Sequence, residues 1–347
     1  MSEQRRVQIV DAFTTEPTTG NPAGVVPEAA GLSDDQLRAV ASELGASETA
    51  FVLPADGADR RLRYFTPETE VDLCGHATVA AFASLYERAV VAAGTYTVET
   101  EAGVLDVEIA EDGTVWLTQS APEIRPADVS LSDVADALGL DVAALSEVGA
   151  DLPIARASTG LPFLVVPVSY FEQLSAVDPD RAAVERLCSE TDTDGLYAFT
   201  FDTLDADATV HGRAFAPLAG IDEDPVTGTA CGAVGAYLRR HGALDAPDPL
   251  VFEQGHFLDR PGRVLVDTRA GAWAGASGSE SSNSAGSDST ESGLAGKDDS
   301  AGEDDSAGED DSPEDRAPRV GGRAVTTVDG ELTLPESDDD GDEIIEA

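Results

Sequence analysis

The stretch TGNPAGVVP at residues 19–27 recurs without gaps as TGLPFLVVP at residues 159–167, with six of nine positions identical. Two segments this similar, far apart in one chain, mark an internal repeat, and a repeat sets the architecture. The apolar run Phe163–Pro167 at the end of the second stretch predicts a strand. The sequence therefore predicts that two copies of one unit share a fold.

Two further matches keep the same order along the chain. They pair RYFTP at 63–67 with RAFAP at 213–217, and Cys74-Gly75 with Cys231-Gly232. The offset grows from 140 residues at the first match to 150 and then 157, as expected if loops lengthen in the second copy. The sequence predicts a junction between the copies near residues 118–150.

Each copy combines several short strands with one long apolar helix. Alternation predicts strands such as Val7–Phe13, and Ser33 with Gln36 forms a capping signal for a helix that reaches Leu44. The longest helices are predicted over Ala77–Val91 and Gly232–His241. Many strands with one long helix per copy predict an α+β fold, with curved sheets wrapping a helix rather than a doubly wound parallel sheet.

An acidic segment interrupts the second half of the chain. The hexapeptide DSAGED occurs at 299–304 and again at 305–310, in a composition that buries too little apolar surface to order a chain. Beyond it, two short apolar runs around Asp329-Gly330 predict a β-hairpin that rejoins a sheet. The predicted organisation is an N-terminal lobe of 1–118 plus 318–335, a C-terminal lobe of 119–271, a disordered acidic insertion at 272–317 and a disordered acidic tail at 336–347.

The charge is extreme: 67 acidic against 21 basic residues give −46, and Lys297 is the only lysine. Such a chain is unsuited to nucleic acid or an anionic membrane surface, both of which attract clustered basic residues. A surface rich in Asp and Glu indicates a halophilic protein, because molar salt shortens the Debye length to about 3 Å and screens self-repulsion. No signal segment or 18-residue apolar run is present, and three cysteines form no disulfide framework, which predicts a cytoplasmic location.

The candidate functional residues lie at or near the predicted starts of helices. Cys74 and Cys231 are placed by the repeat at equivalent positions, where a helix N-terminus eases thiol ionisation and attracts a substrate carboxylate. Asp224 and the small residues after it form a segment in which backbone approaches a ligand closely. The neighbouring candidates are Glu48 as a general base, His76 at a helix start, and Gly228 and Thr229 as anion-binding groups. No cofactor motif is present, and four scattered histidines argue against a metal site.

Several motifs together resemble the phenazine-biosynthesis (PhzF-like) isomerase family. They are DAFT at 11–14 with GNPA at 20–23, SETAFV at 47–52, RYFTP at 63–67 with EVDLCGHAT at 70–78, and EDPVTGTA at 223–230. The resemblance implies a diaminopimelate-epimerase-like fold, in which two pseudo-symmetric lobes each wrap a largely antiparallel sheet around a central helix. It also implies a homodimer that needs no cofactor, with the site in the cleft between the lobes.

The same resemblance implies roles for individual residues. Glu48 matches the glutamate that shuttles a proton, and His76 and Asp224 match groups near the substrate. Asn21, Gly75, Gly228 and Thr229 match positions that bind substrate or line the cleft. The implied reaction moves a proton on a small carboxylate-bearing substrate, either an unsaturated acid or an amino acid.

The two cysteines leave an alternative open. The phenazine enzyme has small residues at these positions, whereas related epimerases and racemases place one cysteine in each lobe. The chain is therefore expected to be either a Glu48-centred isomerase or a Cys74/Cys231 epimerase or racemase. A third hypothesis is a non-catalytic fold that binds cations or partners through the acidic insertion.

Overall fold

The computed structural model describes residues 3–146, 148, 151–244, 248–269 and 317–334. The predicted acidic insertion, apart from residue 317, and the predicted tail lie outside the described residues. The helices are α1 (Asp34–Leu44), α2 (Gly75–Glu87), α3 (Leu131–Leu138), α4 (Ala143–Ser146), α5 (Phe171–Ser175), α6 (Arg181–Thr191) and α7 (Gly228–Arg240). None of the described helices is long and apolar enough to cross a membrane.

The strands outnumber the helices. They are β1 (Gln4–Ala12), β2 (Asn21–Val26), β3 (Thr49–Leu53), β4 (Arg60–Phe65), β5 (Glu70–Val71), β6 (Gly94–Thr100), β7 (Gly103–Ile109), β8 (Val115–Thr118), β9 (Glu123–Pro126), β10 (Ala155–Ser158), β11 (Pro162–Pro167), β12 (Gly195–Thr200), β13 (Val210–Ala216), β14 (Ile221–Asp224), β15 (Leu250–Gln254), β16 (Gly262–Asp267), β17 (Arg319–Gly322) and β18 (Ala324–Thr333).

Strand pairing confirms the predicted α+β fold. Most described pairings are antiparallel, and the parallel ones are β2–β3, β4–β6, β11–β12 and β13–β15. Each parallel pair is joined by a crossover that contains a helix, as parallel pairing requires. The order β2-α1-β3-β4-β5-α2-β6 returns as β11-α6-β12-β13-β14-α7-β15, apart from the short α5, so the repeat in the sequence is a repeat of topology.

The two long helices are the centres of the fold. In α2 every residue of Ala77–Leu85 is buried, and in α7 so is every residue of Ala230–Leu238. A helix that is apolar all round has to be covered all round. Accordingly α2 packs on β1, β2, β8 and β18, and α7 packs on β10, β11, β16 and β17. The predicted division of the chain into two lobes at residues 118 and 119 stays a prediction.

The predicted terminal hairpin is wrong. Residues Ala324–Thr333 form a single strand that runs antiparallel along the whole of β1, with a bulge between Ile9 and Val10. Asp329-Gly330 lies inside this strand rather than at a turn, and Asp329 forms an ion pair with Arg6 on β1. A long strand forms here because β1 offers a full-length unpaired edge that outweighs the local turn preference.

The predicted equivalence of Cys74 and Cys231 is also wrong. Cys74 is the N-cap of α2, but the N-cap of α7 is Thr227, and Cys231 lies one helical turn inside α7. Matching ion pairs give the true register, since Arg63 contacts Glu70 just as Arg213 contacts Glu223, four residues before each N-cap. Residues four apart lie on the same face of a helix. Aligning the two copies four residues out of register therefore still pairs small residues with small residues, which is why the sequences suggested the wrong match.

Candidate active site

Glu48 directly precedes β3, at the point where the parallel pairing of β2 with β3 begins. Its carbonyl accepts a hydrogen bond of 2.9 Å from the Gly24 amide, which ties it to β2 directly before β3 starts. The strands approach so closely that a Cβ on Gly24 would lie 2.3 Å from Thr49 Oγ1. Only glycine permits this contact, and the contact fixes the backbone that carries the Glu48 carboxylate.

The start of α2 brings two candidate residues to Glu48. Cys74 Sγ lies 3.4 Å from His76 Nδ1, and His76 Nε2 lies 3.4 Å from Glu48 Oε2. The His76 and Glu48 side chains are 13% and 18% exposed. Glu48 Oε2 is buried and has no hydrogen-bond partner in the part of the chain that the structure describes. A carboxylate oxygen shielded from water in this way is available to a ligand.

Asp224, at the end of β14, is held from several sides. Its carboxylate accepts a hydrogen bond of 2.9 Å from Asn21 Nδ2 and one from the Thr227 hydroxyl. Asn21 also donates to the Val226 carbonyl at 2.8 Å, so it anchors the loop that carries Asp224. Asn21 was expected to bind substrate, but both hydrogens of its side-chain amide donate to groups within the protein.

Gln254 completes this frame from the end of β15. Its Nε2 donates to the Asp224 carbonyl at 2.8 Å and to Thr227 Oγ1 at 3.1 Å, while its Oε1 accepts from the Thr227 amide at 3.2 Å. The side chain is 1% exposed. Gln254 therefore fixes both Asp224 and the first residue of the turn into α7.

The starts of α2 and α7 face each other. A Cβ on Gly75 would lie 3.9 Å from Thr229 Oγ1, which places the first turns of the two helices in near contact. Gly228 lies against the Phe13 ring, where a Cβ would come within 2.9 Å of it. Helix N-termini carry free amide groups and the positive ends of two dipoles. This arrangement suits an anionic ligand between Gly75 and Thr229.

Burial raises the pKa of two groups in this site, Cys74 and Asp224. Burial raises the pKa of the Cys74 thiol well above its ordinary value, and the Glu48 carboxylate adds to the rise, whereas first-turn amides of α2 oppose it. The predicted easing of thiol ionisation is therefore wrong for Cys74. Burial also raises the pKa of Asp224, with Glu48 adding to the shift and His76 opposing it. The influence of Glu48 and His76 on Asp224 shows that the three groups share one site.

Cys231 lies one turn inside α7 and not at the helix start. It is fully buried in the core, and its Sγ lies 3.4 Å from the Tyr197 hydroxyl. Burial raises the pKa of its thiol to about 12. Cys188 is buried in a separate cluster around α6. The structure thus brings Glu48, Cys74, His76 and Asp224 together and leaves Cys231 in the core.

Arg260 supports the site, and this role was not predicted from the sequence. Its guanidinium donates to Asp11 Oδ1 at 2.7 Å, to the Thr19 carbonyl at 2.9 Å and to the Gly20 carbonyl at 2.9 Å. These bonds fix the turn that leads into Asn21.

Comparison with protein families gives one match over most of the chain. The family model described as phenazine biosynthesis-like protein, PhzC-PhzF, matches residues 10–282. The uncharacterized isomerase YfhB of Bacillus subtilis is 38% identical over 262 residues, covering 74% of this chain and 88% of that protein. The uncharacterized isomerase YddE of Escherichia coli K12 is 38% identical over 272 residues, covering 75% and 89%.

Solved structures agree with the fold. A phenazine biosynthesis protein of the PhzF family from Bacillus anthracis is 30% identical, with a TM-score of 0.76, covering 95% of this chain and 99% of that one. A hydroxyproline epimerase from Agrobacterium vitis, solved with trans-4-hydroxy-L-proline, is 15% identical with a TM-score of 0.54, covering 95% and 91%. The second likeness extends the shared fold to an epimerase.

Proposed function

This chain belongs to the phenazine biosynthesis-like (PhzC-PhzF) family and is an isomerase, and we propose that Glu48 is the group that moves its proton. The proposed substrate is a small carboxylate-bearing molecule, an unsaturated acid or an amino acid, bound between the starts of α2 and α7. His76 and Asp224 assist, and no cofactor takes part.

One observation carries this proposal: the buried Glu48 Oε2 has no hydrogen-bond partner among the described residues. A buried carboxylate oxygen without a hydrogen-bond partner destabilises the folded protein, so its presence indicates a functional role. The oxygen lies 3.4 Å from Nε2 of His76, a residue in the first turn of α2. A substrate carbon placed there would be within reach of Glu48 as a general base.

The proton transfer needs no other reactant. Glu48 removes a proton from a carbon next to the substrate's carboxylate or double bond, and the electron pair that remains shifts into the conjugated group. In an unsaturated substrate, Glu48 then returns a proton at another carbon of the conjugated group, so that substrate and product contain the same atoms. The negative charge that develops is stabilised by amides at the starts of α2 and α7.

The alternative with two cysteines has weaker support in the geometry. Cys74 stands beside His76 and Glu48, but the matching N-cap on α7 is Thr227, and Cys231 is fully buried against Tyr197. A racemase that uses one thiol on each side of the substrate would need both thiols at the cleft. We therefore place the alternative second.

Solvent deuterium incorporation into a panel of small unsaturated and α-amino acids separates the two mechanisms. We expect Glu48→Gln to abolish incorporation, while Cys231→Ala incorporates deuterium at the wild-type rate. Glu43→Gln is the matched control, because Glu43 is exposed on α1 and the charge change is the same. Full incorporation by Glu48→Gln would refute the proposal, and loss in both Cys74→Ala and Cys231→Ala would favour the two-thiol mechanism.

Three properties of the whole protein stay predictions: a homodimer, a cytoplasmic location and adaptation to high salt. They follow from the family resemblance, from the cysteine content and from the charge of −46. Sedimentation in low and molar salt tests the first and third together, with a folded dimer expected at molar salt.

A further inference from the structure

We propose that Glu48, Cys74 and His76 form a binding site for Zn²⁺ or a similar transition-metal ion, and that a bound ion inhibits the isomerase. The inhibition rests on the proposed role of Glu48, whereas the binding does not. The sequence-based expectation was that the chain has no metal site. The spacing of the ligands along the sequence does not indicate this site, because Glu48 precedes β3 whereas Cys74 and His76 lie at the start of α2.

The separations between the three side chains suit a tetrahedral ion. One donor atom from each residue can be chosen so that all lie within 4.8 Å of one another. His76 Nε2 lies 3.4 Å from Glu48 Oε2 and 4.0 Å from Cys74 Sγ. Zinc bonds of about 2.0–2.3 Å imply ligand separations of about 3.3–3.8 Å in a tetrahedron, so side-chain movements of up to about 1 Å complete the site.

The donor set selects the class of ion. A thiolate, an imidazole and a carboxylate together favour Zn²⁺, Co²⁺ and related ions, whereas Mg²⁺ and Ca²⁺ prefer oxygen ligands alone. Glu48 Oε2 lacks a hydrogen-bond partner among the described residues, so it loses none on binding an ion. Three protein ligands leave the fourth coordination position for water or another ligand.

The second copy of the repeat provides an internal comparison. The parallel register pairs Gly24 with Thr49 and Leu164 with Leu196, so the counterpart of Glu48 is Gly195. The counterparts of Cys74 and His76 are Thr227 and Thr229, from the positions of the two N-caps. The second copy has none of the three ligands, so the site is a property of the first copy and not of the fold.

Binding would remove the base from the reaction. The Cys74 thiol loses its proton to solvent as the sulfur–metal bond forms, and the Glu48 oxygen that would accept a substrate proton is bound to the ion instead. The ion also occupies space at the start of α2 where the substrate carboxylate is proposed to lie. We therefore expect inhibition that substrate opposes.

Cobalt spectroscopy on the full-length protein tests the site without any substrate. We expect one equivalent of Co²⁺ to give a thiolate-to-cobalt charge-transfer band, and Zn²⁺ to displace it. The band should persist in Cys231→Ser and Cys188→Ser and disappear in Cys74→Ser. Calorimetry in molar NaCl, which screens the acidic surface, should show at least about tenfold weaker Zn²⁺ binding in His76→Gln.

The possible results separate this inference from the proposed function. The absence of a cobalt band in the wild type, or its persistence in Cys74→Ser, overturns the metal site while leaving the isomerase mechanism untouched. A Cys74-dependent band with loss of deuterium incorporation on adding Zn²⁺ supports the whole proposal. A Cys74-dependent band with undiminished incorporation keeps the site but overturns the inhibition.

Discussion

Replacing Gln254 by leucine tests whether the frame around Asp224 is as tightly built as the contacts indicate. Gln254 is 1% exposed and makes three hydrogen bonds, to the Asp224 carbonyl and to the amide and hydroxyl of Thr227. Leucine has a similar size but leaves two buried backbone groups unpaired. Each unpaired group costs about 1–3 kcal/mol, so we expect the free energy of unfolding to fall by about 3 kcal/mol.

Urea unfolding at constant molar salt, followed by far-UV circular dichroism, measures this loss. The matched control is Gln173→Leu, because Gln173 Oε1 has no hydrogen-bond partner among the described residues. Because this control removes a buried acceptor that is itself unpaired, we expect its free energy of unfolding to stay the same or to rise by about 1 kcal/mol. A loss below about 1 kcal/mol in Gln254→Leu would refute the reasoning. Deuterium incorporation by the folded variant should also fall, because Asp224 and the start of α7 lose a common support.

The remaining predictions concern pH, the core thiol Cys231 and the close contact of Gly24 with Thr49 beside Glu48. Burial and the neighbouring His211 lower the pKa of His256, so its contribution to stability is present above the unfolded value of about 6.5 and is lost as the pH falls below it. His256→Asn should therefore lose less stability than the wild type between pH 7.5 and 5.5, and equal losses in urea midpoint would count against this. Cys231→Ala should cost about 1 kcal/mol yet incorporate deuterium within twofold of wild type, and a large loss of rate would revive the two-thiol mechanism. Gly24→Ala should destabilise the protein by about 1–3 kcal/mol and slow incorporation, because its Cβ would lie 2.3 Å from Thr49 Oγ1, and wild-type behaviour would contradict that account.

The fold was largely predictable because its strongest signals are local and repeated. The stretch at 19–27 returns at 159–167 in both sequence and structure, where each forms the start of a strand–helix–strand crossover. The capping box at Ser33 is confirmed, with the Ser33 hydroxyl accepting from the Gln36 amide. The long helix predicted at Ala77 starts two residues earlier, at Gly75.

The errors arose where distant contacts outweigh local patterns. Asp329-Gly330 has the composition of a turn, but pairing with β1 keeps it extended. Cys231 and Cys74 were aligned because small residues surround both. The strand register and the Arg213–Glu223 ion pair show instead that Thr227 is at the start of α7. Neither contact is visible in a single sequence.

In the candidate site too, the individual residues were predictable from the sequence but their contacts were not. Glu48, His76 and Asp224 were identified from motifs, whereas their common environment depends on three segments that meet only in the fold. Burial of Cys74 among carboxylates reverses the effect expected of a helix N-terminus on its thiol. The role of Gln254 as a shared support of Asp224 and Thr227 likewise requires the end of β15 to reach the turn into α7.

The deuterium incorporation rate of Glu48→Gln, measured beside Glu43→Gln on proteins of equal urea midpoint, tests the central claim most directly. A general base contributes about 10²–10⁴ to a rate, so incorporation should fall by at least about 100-fold in Glu48→Gln and stay at the wild-type rate in Glu43→Gln. A Glu48→Gln rate within about threefold of wild type would show that another group moves the proton.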